Sequence, residues 1–275
     1  MKKILLMLLT SVTLASAQKS FQVEITGKGD PVLLFPGFTC PGEVWKETVD
    51  QLSKTHECHI FTFAGFGGVA PIDTPWFSTV KKDVIAYVKQ KNLKSPTLLG
   101  HSIGGTLSLW LASDEPGMFK KAIVVDGLPG PAALMVPNYK KGQVMPYDNP
   151  QTKSILEMDD AAFGQMAAQT APFMSLNPDK HALIAEWVRQ ADRKTYVYGY
   201  MDFLNTDLRD DLEKIKIPVV VIGAASPSRE MVEPNYRKQY EKLKDVKFEF
   251  IENSAHFIMF DQPAVFLEKI AENIP

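Results

Sequence analysis

The residues best suited to covalent chemistry form the stretch Gly100-His101-Ser102-Ile103-Gly104. A short apolar run at 97–99, typical of a strand, precedes it, and a helical pattern at 105–113 follows it. Between a strand and a helix, a G-x-S-x-G pattern indicates a sharp turn that exposes the serine hydroxyl, with glycines where side chains would crowd. The sequence therefore predicts that Ser102 is a nucleophile, with the free N–H groups of the next helix aimed at the reacting centre.

A serine hydroxyl is a weak nucleophile and needs a general base. His256 is the best candidate, because it follows a strand-like run at 247–251 and precedes the last helical pattern at 263–273. The remaining histidines suit structural roles better, by their positions at a strand start, inside the turn, or in a helical segment: His56, His59, His101 and His181. The sequence therefore predicts a base, His256, far from Ser102 in the chain.

Apolar strand-like runs alternate with segments of helical periodicity along most of the chain. The strand-like runs are 31–35, 58–63, 97–99, 122–125, 218–222 and 247–251, and the helical segments are 43–54, 78–91, 105–113 and 263–273. Strands that are apolar throughout indicate a sheet covered on both faces. The predicted fold class is therefore α/β, with a mostly parallel sheet and helices on both faces.

Residues 127–216 interrupt this alternation, since they hold no strong strand pattern. They indicate helices at 155–172, 179–194 and 196–216, inserted between two strands. The insertion is rich in methionine and aromatic residues: Met135, Met145, Met158, Met166, Met174, Met201, Phe163, Phe173, Tyr196, Tyr198, Tyr200 and Phe203. Such side chains suit an adaptable apolar cavity. The alternative is that they form the core of the insertion itself.

Taken together, these features resemble the α/β-hydrolase fold superfamily, and within it a capped, esterase- or lipase-like serine hydrolase. The matching stretches are LLFPGF at 33–38, GFGG at 65–68, GHSIGG at 100–105, DLRDDLEKIKIPVVVIG at 207–223 and NSAHFIMFDQPAVF at 253–266. The resemblance implies a hydrolase core at 18–126 and 217–275, with a helical cap at 127–216 after the sixth strand. It says much less about the substrate, because this fold carries many chemistries.

The resemblance also implies an oxyanion hole made of two backbone N–H groups. One belongs to Ile103, the residue after the nucleophile, and the other to Phe38, in the loop after the strand at 31–35. Family members often have His-Gly in that loop, where this chain has Pro36-Gly37. A backbone donor does not depend on the lost histidine side chain.

The acid of the triad is the main departure from the family pattern. The family usually has an aspartate just after the seventh strand, where this sequence reads Ser226. Asp126, at the end of the preceding strand, is the first candidate, because neighbouring strand ends present a carboxylate to the same imidazole. Glu230 and Glu233 are alternative acids. A serine–histidine dyad, or a weakened enzyme, is the third interpretation.

The N-terminus has the pattern of a cleaved signal peptide. Lys2 and Lys3 precede an apolar run, and Ala15-Ser16-Ala17 provides small residues before a cut. We therefore expect residues 1–17 to be an export signal and the mature protein to be periplasmic or secreted, with no stable membrane insertion.

Composition and cysteine content restrict the ligands. A net charge of −2 argues against a nucleic-acid partner. Cys40 and Cys58 are expected at opposite edges of the sheet and so as free thiols. No metal-ligand motif is present, so no metal and no cofactor are expected. The expected partner is a small-molecule substrate, and the oligomeric state stays open.

Three classes of function remain in consideration. The first is an exported serine hydrolase that cleaves a small or medium apolar carboxylic ester through an acyl-enzyme on Ser102. The second is an amidase or aminopeptidase, or a C–C hydrolase, on the same scaffold. The third is a catalytically weak binding protein, for which Ser226 is the only support.

Overall fold

A computed structural model describes residues 20–275, so the signal peptide expected at 1–17 lies outside the described residues. Within 20–275 the chain forms one seven-stranded sheet in the order β1-β3-β2-β4-β5-β6-β7. The strands are β1 (Phe21–Gly27), β2 (Asp30–Phe35), β3 (His56–Phe63), β4 (Thr97–His101), β5 (Lys121–Val125), β6 (Val219–Ala224) and β7 (Val246–Ile251). Only β1 runs antiparallel to its neighbour among these strands. The predicted α/β fold class is confirmed.

Alternation along the central strands sends apolar side chains to both faces of the sheet. In β2, Leu33 and Phe35 pack into one apolar cluster, whereas Val32 and Leu34 pack into the other. All five residues of β4 are buried. Both faces therefore exclude water, which explains why these strands read as continuous apolar runs.

Helices cover both faces of the sheet. They are α1 (Lys46–Leu52), α2 (Trp76–Gln90), α3 (Ile103–Asp114), α4 (Ala132–Met135), α5 (Pro150–Glu157), α6 (Asp160–Met174), α7 (His181–Arg189), α8 (Tyr200–Leu204), α9 (Arg229–Gln239), α10 (Ile258–Asp261) and α11 (Pro263–Asn273). Buried residues of α2, α3 and α9 join the cluster on one face, and those of α1 and α11 join the other. No helix within residues 20–275 has the length and apolarity needed to cross a bilayer.

The helical segment between β5 and β6 follows the fifth of the described strands. By the strand numbers of the family, this segment was predicted to follow the sixth strand. It is also more divided than its sequence pattern indicates. The helix expected at 155–172 splits into α5 and α6, because the Asp159 carboxylate accepts a hydrogen bond from the Ala162 amide at 2.7 Å and starts a new helix.

The prediction of one helix over residues 196–216 was also wrong in extent. A π-helical turn, Thr195–Gly199, leads into α8, and only a short 3₁₀ turn, Asp211–Lys214, follows. Between them, the Asn205 side chain bonds both the amide and the carbonyl of Met145. Polar side chains that satisfy backbone groups in this way favour irregular structure over helix.

Both cysteines are buried and unpaired, so the predicted free thiols are confirmed. Cys40 and Cys58 lie in the same apolar cluster but are not bonded to one another. Burial raises the pKa of the Cys58 thiol to about 11, which keeps it protonated and unreactive at neutral pH.

One carboxylate, Asp261, joins the inserted helices to the C-terminal part of the core. Its Oδ1 accepts hydrogen bonds from the Ser175 hydroxyl at 2.5 Å, the Leu176 amide at 2.9 Å and the Asn177 amide at 3.1 Å. Its Oδ2 accepts from the Ala255 amide at 2.7 Å. These donors belong to the end of α6 and to the loop before α10, so one side chain fastens the two segments together.

Replacing Asp261 with asparagine tests this attachment. The amide NH₂ group must face donors that the carboxylate now accepts from, so we expect the free energy of unfolding to fall by about 2 kcal/mol. The matched control is Asp160→Asn, since Asp160 is fully exposed and its ion pair with Arg193 lies at the surface, and its loss is expected to stay below about 1 kcal/mol. Urea denaturation measures both, and equal losses would contradict the assignment.

Candidate active site

Ser102 occupies a strained turn between β4 and α3. Its backbone has φ 55° and ψ −121°, a region that non-glycine residues rarely adopt and that costs of order 1–3 kcal/mol. The Ser102 amide donates to the Val125 carbonyl at 2.8 Å, and its carbonyl accepts from the Gly105 and Thr106 amides. These bonds hold the turn, which leaves the Ser102 side chain on the wall of a pocket.

The glycines of the turn are required by backbone packing. A Cβ on Gly100 would lie 2.1 Å from the Gly104 carbonyl oxygen, and a Cβ on Gly104 would lie 2.4 Å from the Phe35 carbonyl oxygen. Both distances are far below van der Waals contact. The G-x-S-x-G spacing is therefore set by the approach of β2, β4 and α3 beneath the serine.

His256 lies in the loop between β7 and α10, against Asp126. Its Nδ1 is 2.5 Å from Asp126 Oδ2, and the two side chains are 24% and 13% exposed. Asp126 directly follows β5, with φ 48°, and its amide donates to the Ile222 carbonyl at 2.8 Å. The loop of the histidine and the end of β5 thus bring together two residues that are 130 positions apart.

The second oxygen of Asp126 is also fully used. Oδ1 accepts a hydrogen bond from the Tyr236 hydroxyl at 2.5 Å and another from the Ala224 amide at 2.9 Å. Burial by itself raises the pKa of the Asp126 carboxyl. The hydrogen bond and charge of His256, together with those two donors, outweigh burial and lower that pKa below its usual value. Asp126 is therefore a carboxylate at neutral pH.

The structure places the other candidate acids away from the imidazole. Glu233 accepts hydrogen bonds from Arg229 and Arg237, both at 2.7 Å, on the outer side of α9. Glu230 lies exposed in the first turn of the same helix, and Ser226 lies exposed before it. Ser226, at the family's usual acid position, is therefore exposed, and Asp126 is the carboxylate that contacts His256 Nδ1.

His101 packs against the His256 ring and contacts the His256 backbone carbonyl. Its side chain is completely buried, its ring centre is 4.6 Å from that of His256, and its Nε2 lies 2.9 Å from the His256 carbonyl oxygen. Burial, with the repulsion of His256, lowers the pKa of His101 to about 3, so this imidazole is neutral. Because a carbonyl only accepts, Nε2 carries the proton. His101 Nδ1 has no partner among the described residues.

The two residues expected to supply oxyanion donors, Ile103 and Phe38, lie close to Ser102 in the chain or in the pocket. Ile103 is the first residue of α3, so its amide has no acceptor within the helix. Phe38 lies in the loop after β2 and lines the same pocket as Ser102. A Cβ on Gly37, before it, would come 2.6 Å from His101 Nδ1, so only glycine fits there. Their role as oxyanion donors stays a prediction from the family resemblance.

Ser102, His256 and Asp126 open into a cavity of about 310 Å³ between the core and the inserted helices. Apart from Asp126 and the two imidazoles, its lining side chains are uncharged. Six of the twelve methionine and aromatic residues expected to form a cavity do line it: Met135, Met174, Met201, Tyr196, Tyr200 and Phe203. Of the other six, only Phe163 is buried, and Phe173 is 82% exposed. The cavity interpretation therefore accounts for more of these residues than the core interpretation does.

Among residues 20–275, no group of three or more His, Cys, Asp or Glu side chains is arranged to hold a metal ion. An activated serine, an imidazole oriented by a carboxylate, and two amide donors together suit acyl transfer.

A model of the family described as "Alpha/beta hydrolase family" matches residues 32–269. The chain belongs to the α/β-hydrolase family. Membership supports a hydrolase activity, and it accounts for the sheet order, the turn at Ser102 and the position of His256 after the last strand.

Curated relatives within the family are distant and differ in chemistry. N-formylmaleamate deformylase of Pseudomonas putida is 23% identical over 252 residues, covering 90% of this chain and 89% of that protein. Pimeloyl-(acyl-carrier protein) methyl ester esterase of Aliivibrio fischeri is 24% identical over 198 residues, covering 71% and 75%. One relative is named for removing a formyl group and the other for cleaving a methyl ester.

A solved α/β-hydrolase shares the fold over nearly the whole chain. The esterase from Exiguobacterium antarcticum superposes with a TM-score of 0.76 at 20% identity, over 92% of this chain and 95% of that one. At this identity the likeness concerns the fold, and the substrate must be argued from the pocket.

Sequence reasoning missed the groups that hold the acid and the base. Tyr236 and Ala224 bond Asp126, and His101 bonds the His256 carbonyl. The His101 contact had a signal in the sequence, since a histidine inside the turn must place its side chain on the side opposite Ser102. Tyr236 had no such signal, because its contact with Asp126 joins residues 110 positions apart in the chain.

Proposed function

We propose that this α/β-hydrolase is an exported serine hydrolase that cleaves a small or medium-sized apolar carboxylic ester through an acyl-enzyme on Ser102. The observation that carries the proposal is the 2.5 Å contact of His256 Nδ1 with Asp126 Oδ2, in the same mainly apolar cavity that Ser102 lines from a strained turn. Nucleophile, base and acid belong to three neighbouring parts of the same edge of the sheet.

The proposed reaction has two halves. Ser102 Oγ attacks the ester carbonyl carbon while His256 Nε2 takes its proton, and the Phe38 and Ile103 amides bind the oxygen that becomes negative. The ester C–O bond breaks, and His256 passes the proton to the departing alcohol. Water then attacks the acyl-Ser102 with His256 as base, releasing the acid and restoring the serine.

Asp126 has two effects in this scheme. Its carboxylate accepts the Nδ1–H of His256, which fixes the tautomer with Nε2 free to take the serine proton. Its negative charge also stabilises the imidazolium that forms after proton transfer. Both effects require the ionised form, and the lowered pKa of Asp126 provides it at neutral pH.

The lining of the cavity supports an uncharged acyl group. Its polar groups beyond the triad are neutral, such as Thr39, Gln151 and Thr170, and apolar surface predominates. A substrate carboxylate in this cavity would have no cationic partner among the lining residues, and burying an unpaired charge is costly.

Amide hydrolysis is the second candidate, favoured by the name of the deformylase relative. The same triad serves it, since His256 would deliver its proton to the departing amine. Export rests on the sequence pattern of residues 1–17 alone.

Labelling with a fluorophosphonate, followed by intact-mass measurement, tests the nucleophile and export together. For protein expressed from the full sequence, we expect one adduct on a chain that begins at Gln18. Ser102→Ala is expected to remain unlabelled, while Ser226→Ala, the matched serine control, labels like wild type. An unlabelled wild type, or a labelled Ser102→Ala, would leave the binding-protein interpretation standing. A labelled chain that retains residues 1–17 would refute export.

The acid is tested by turnover of a p-nitrophenyl ester. Asp126→Asn is expected to lower kcat by about 10⁴-fold, because the imidazole loses its orienting and stabilising charge. Glu230→Gln and Glu233→Gln are the controls, and both should stay within about twofold of wild type, since surface charges away from the site contribute little. Near-normal turnover by Asp126→Asn would exclude it as the acid.

A pair of matched substrates tests the proposed acyl class. p-Nitrophenyl butyrate and the p-nitrophenyl monoester of succinate have the same chain length but differ by a terminal carboxylate. We expect kcat/KM to be about 100-fold lower for the succinate ester, because the cavity offers its charge no partner. Equal values would contradict a neutral acyl site. Comparable cleavage of the p-nitroanilide of butyric acid would favour the amidase.

A further inference from the structure

We infer that Tyr236 is a positioning residue that holds Asp126 in the orientation required by His256. The inference rests on the proposed function, because it concerns the acid of that same triad. It adds a member to the site from α9, the helix that follows the position where the family usually carries its acid.

The hydrogen bonds around Asp126 divide cleanly between its two oxygens. Oδ1 receives the Tyr236 hydroxyl at 2.5 Å and the Ala224 amide at 2.9 Å, whereas Oδ2 lies 2.5 Å from His256 Nδ1. Rotation of the carboxylate would break all three contacts. The donors on Oδ1 therefore present Oδ2 to the imidazole.

Tyr236 is itself held in one place by packing. Its ring meets Phe250 edge-on at 5.6 Å and lies nearly parallel to Tyr240, with 12° between the planes. Gly223 leaves space for the rings of Phe250 and Tyr236, since a Cβ at that position would lie 2.9 Å from the first and 3.3 Å from the second. A buried, immobile phenol is a donor of fixed position, which is what orienting a carboxylate requires.

Tyr236 acts through Asp126 and not on the substrate. It is absent from the lining of the cavity, and its hydroxyl faces the oxygen that His256 does not use. Burial raises the pKa of Tyr236 well above its usual value, so the phenol remains a donor throughout the neutral range. The titratable groups that face Asp126 are His256, His101, Tyr236 and Tyr240.

Loss of the phenol has a defined direction of effect. The carboxylate would lose one of two donors on Oδ1 and would hold a proton more tightly. The Asp126–His256 pair would then take up its proton at higher pH, and the acid limb of the pH–rate profile would move upward. A purely structural defect would lower activity at every pH and leave that limb in place.

The test compares Tyr236→Phe with Tyr240→Phe. Both remove one hydroxyl from a buried tyrosine of the same region, but the Tyr240 hydroxyl bonds the Gly127 carbonyl at 2.7 Å and not Asp126. We expect Tyr236→Phe to lower kcat about 10- to 30-fold, as for a hydrogen bond to a charged group, and to move the acid limb up by about half a pH unit. Tyr240→Phe should lower the free energy of unfolding, and the acid limb of its pH–rate profile should stay at the wild-type pH.

Three outcomes would overturn the assignment: an unmoved limb in Tyr236→Phe, equal shifts in both variants, or unchanged kcat in Tyr236→Phe. The NMR resonance of the His256 Nδ1–H proton, recorded in a Ser102→Ala background, provides a readout that needs no activity. It should change on adding Tyr236→Phe and not on adding Tyr240→Phe. If wild type lacks Ser102-dependent hydrolysis, the proposed function fails, and this resonance still decides whether Tyr236 positions Asp126.

Discussion

The site depends on how one buried carboxylate is held. Burial alone raises the pKa of the Asp126 carboxyl, and the combined effect of His256, Tyr236 and Ala224 outweighs burial and lowers that pKa below its usual value. Those partners come from the loop after β7, from α9 and from the end of β6. The packing of three separate elements therefore favours the ionised form of one carboxylate, and that carboxylate contacts the His256 imidazole at 2.5 Å.

The position of the acid follows from the geometry of a parallel sheet. β5 and β6 are hydrogen-bonded neighbours, with Val125 opposite Ile222, so their carboxyl ends lie side by side at the same edge. A carboxylate after either strand reaches the same imidazole loop. When Ser226 removes the charge from one end, Asp126 at the other end meets the same requirement, and the phenol of Tyr236 supplies a donor from the helix beyond Ser226.

The sequence predicted those parts of the fold whose signals are local. The turn at Ser102 was predictable because close backbone approach at Gly100 and Gly104 leaves no alternative to glycine, and the buried strands because each is apolar throughout. β1 was missed because an edge strand that is largely exposed carries no apolar run. The sequence leaves the acid open because the contact between His256 and Asp126 joins residues 130 positions apart, and no local pattern records such a pairing.

On one side of the cavity, hydrogen bonds join the inserted helices to the loop that carries His256. The Phe257 amide donates to the Met174 carbonyl at 2.9 Å, and Asp261 bonds both the Ala255 amide and the segment that begins at Ser175. Displacing that segment would remove the Phe257 hydrogen bond beside His256 and the bonds from Ser175 to Asp261, while the bond between Ala255 and Asp261 would stay within the loop. The order of the His256 loop therefore depends in part on the docking of the inserted helices. Residues that only pack the insertion, far from the reacting atoms, thus help to set the position of the imidazole.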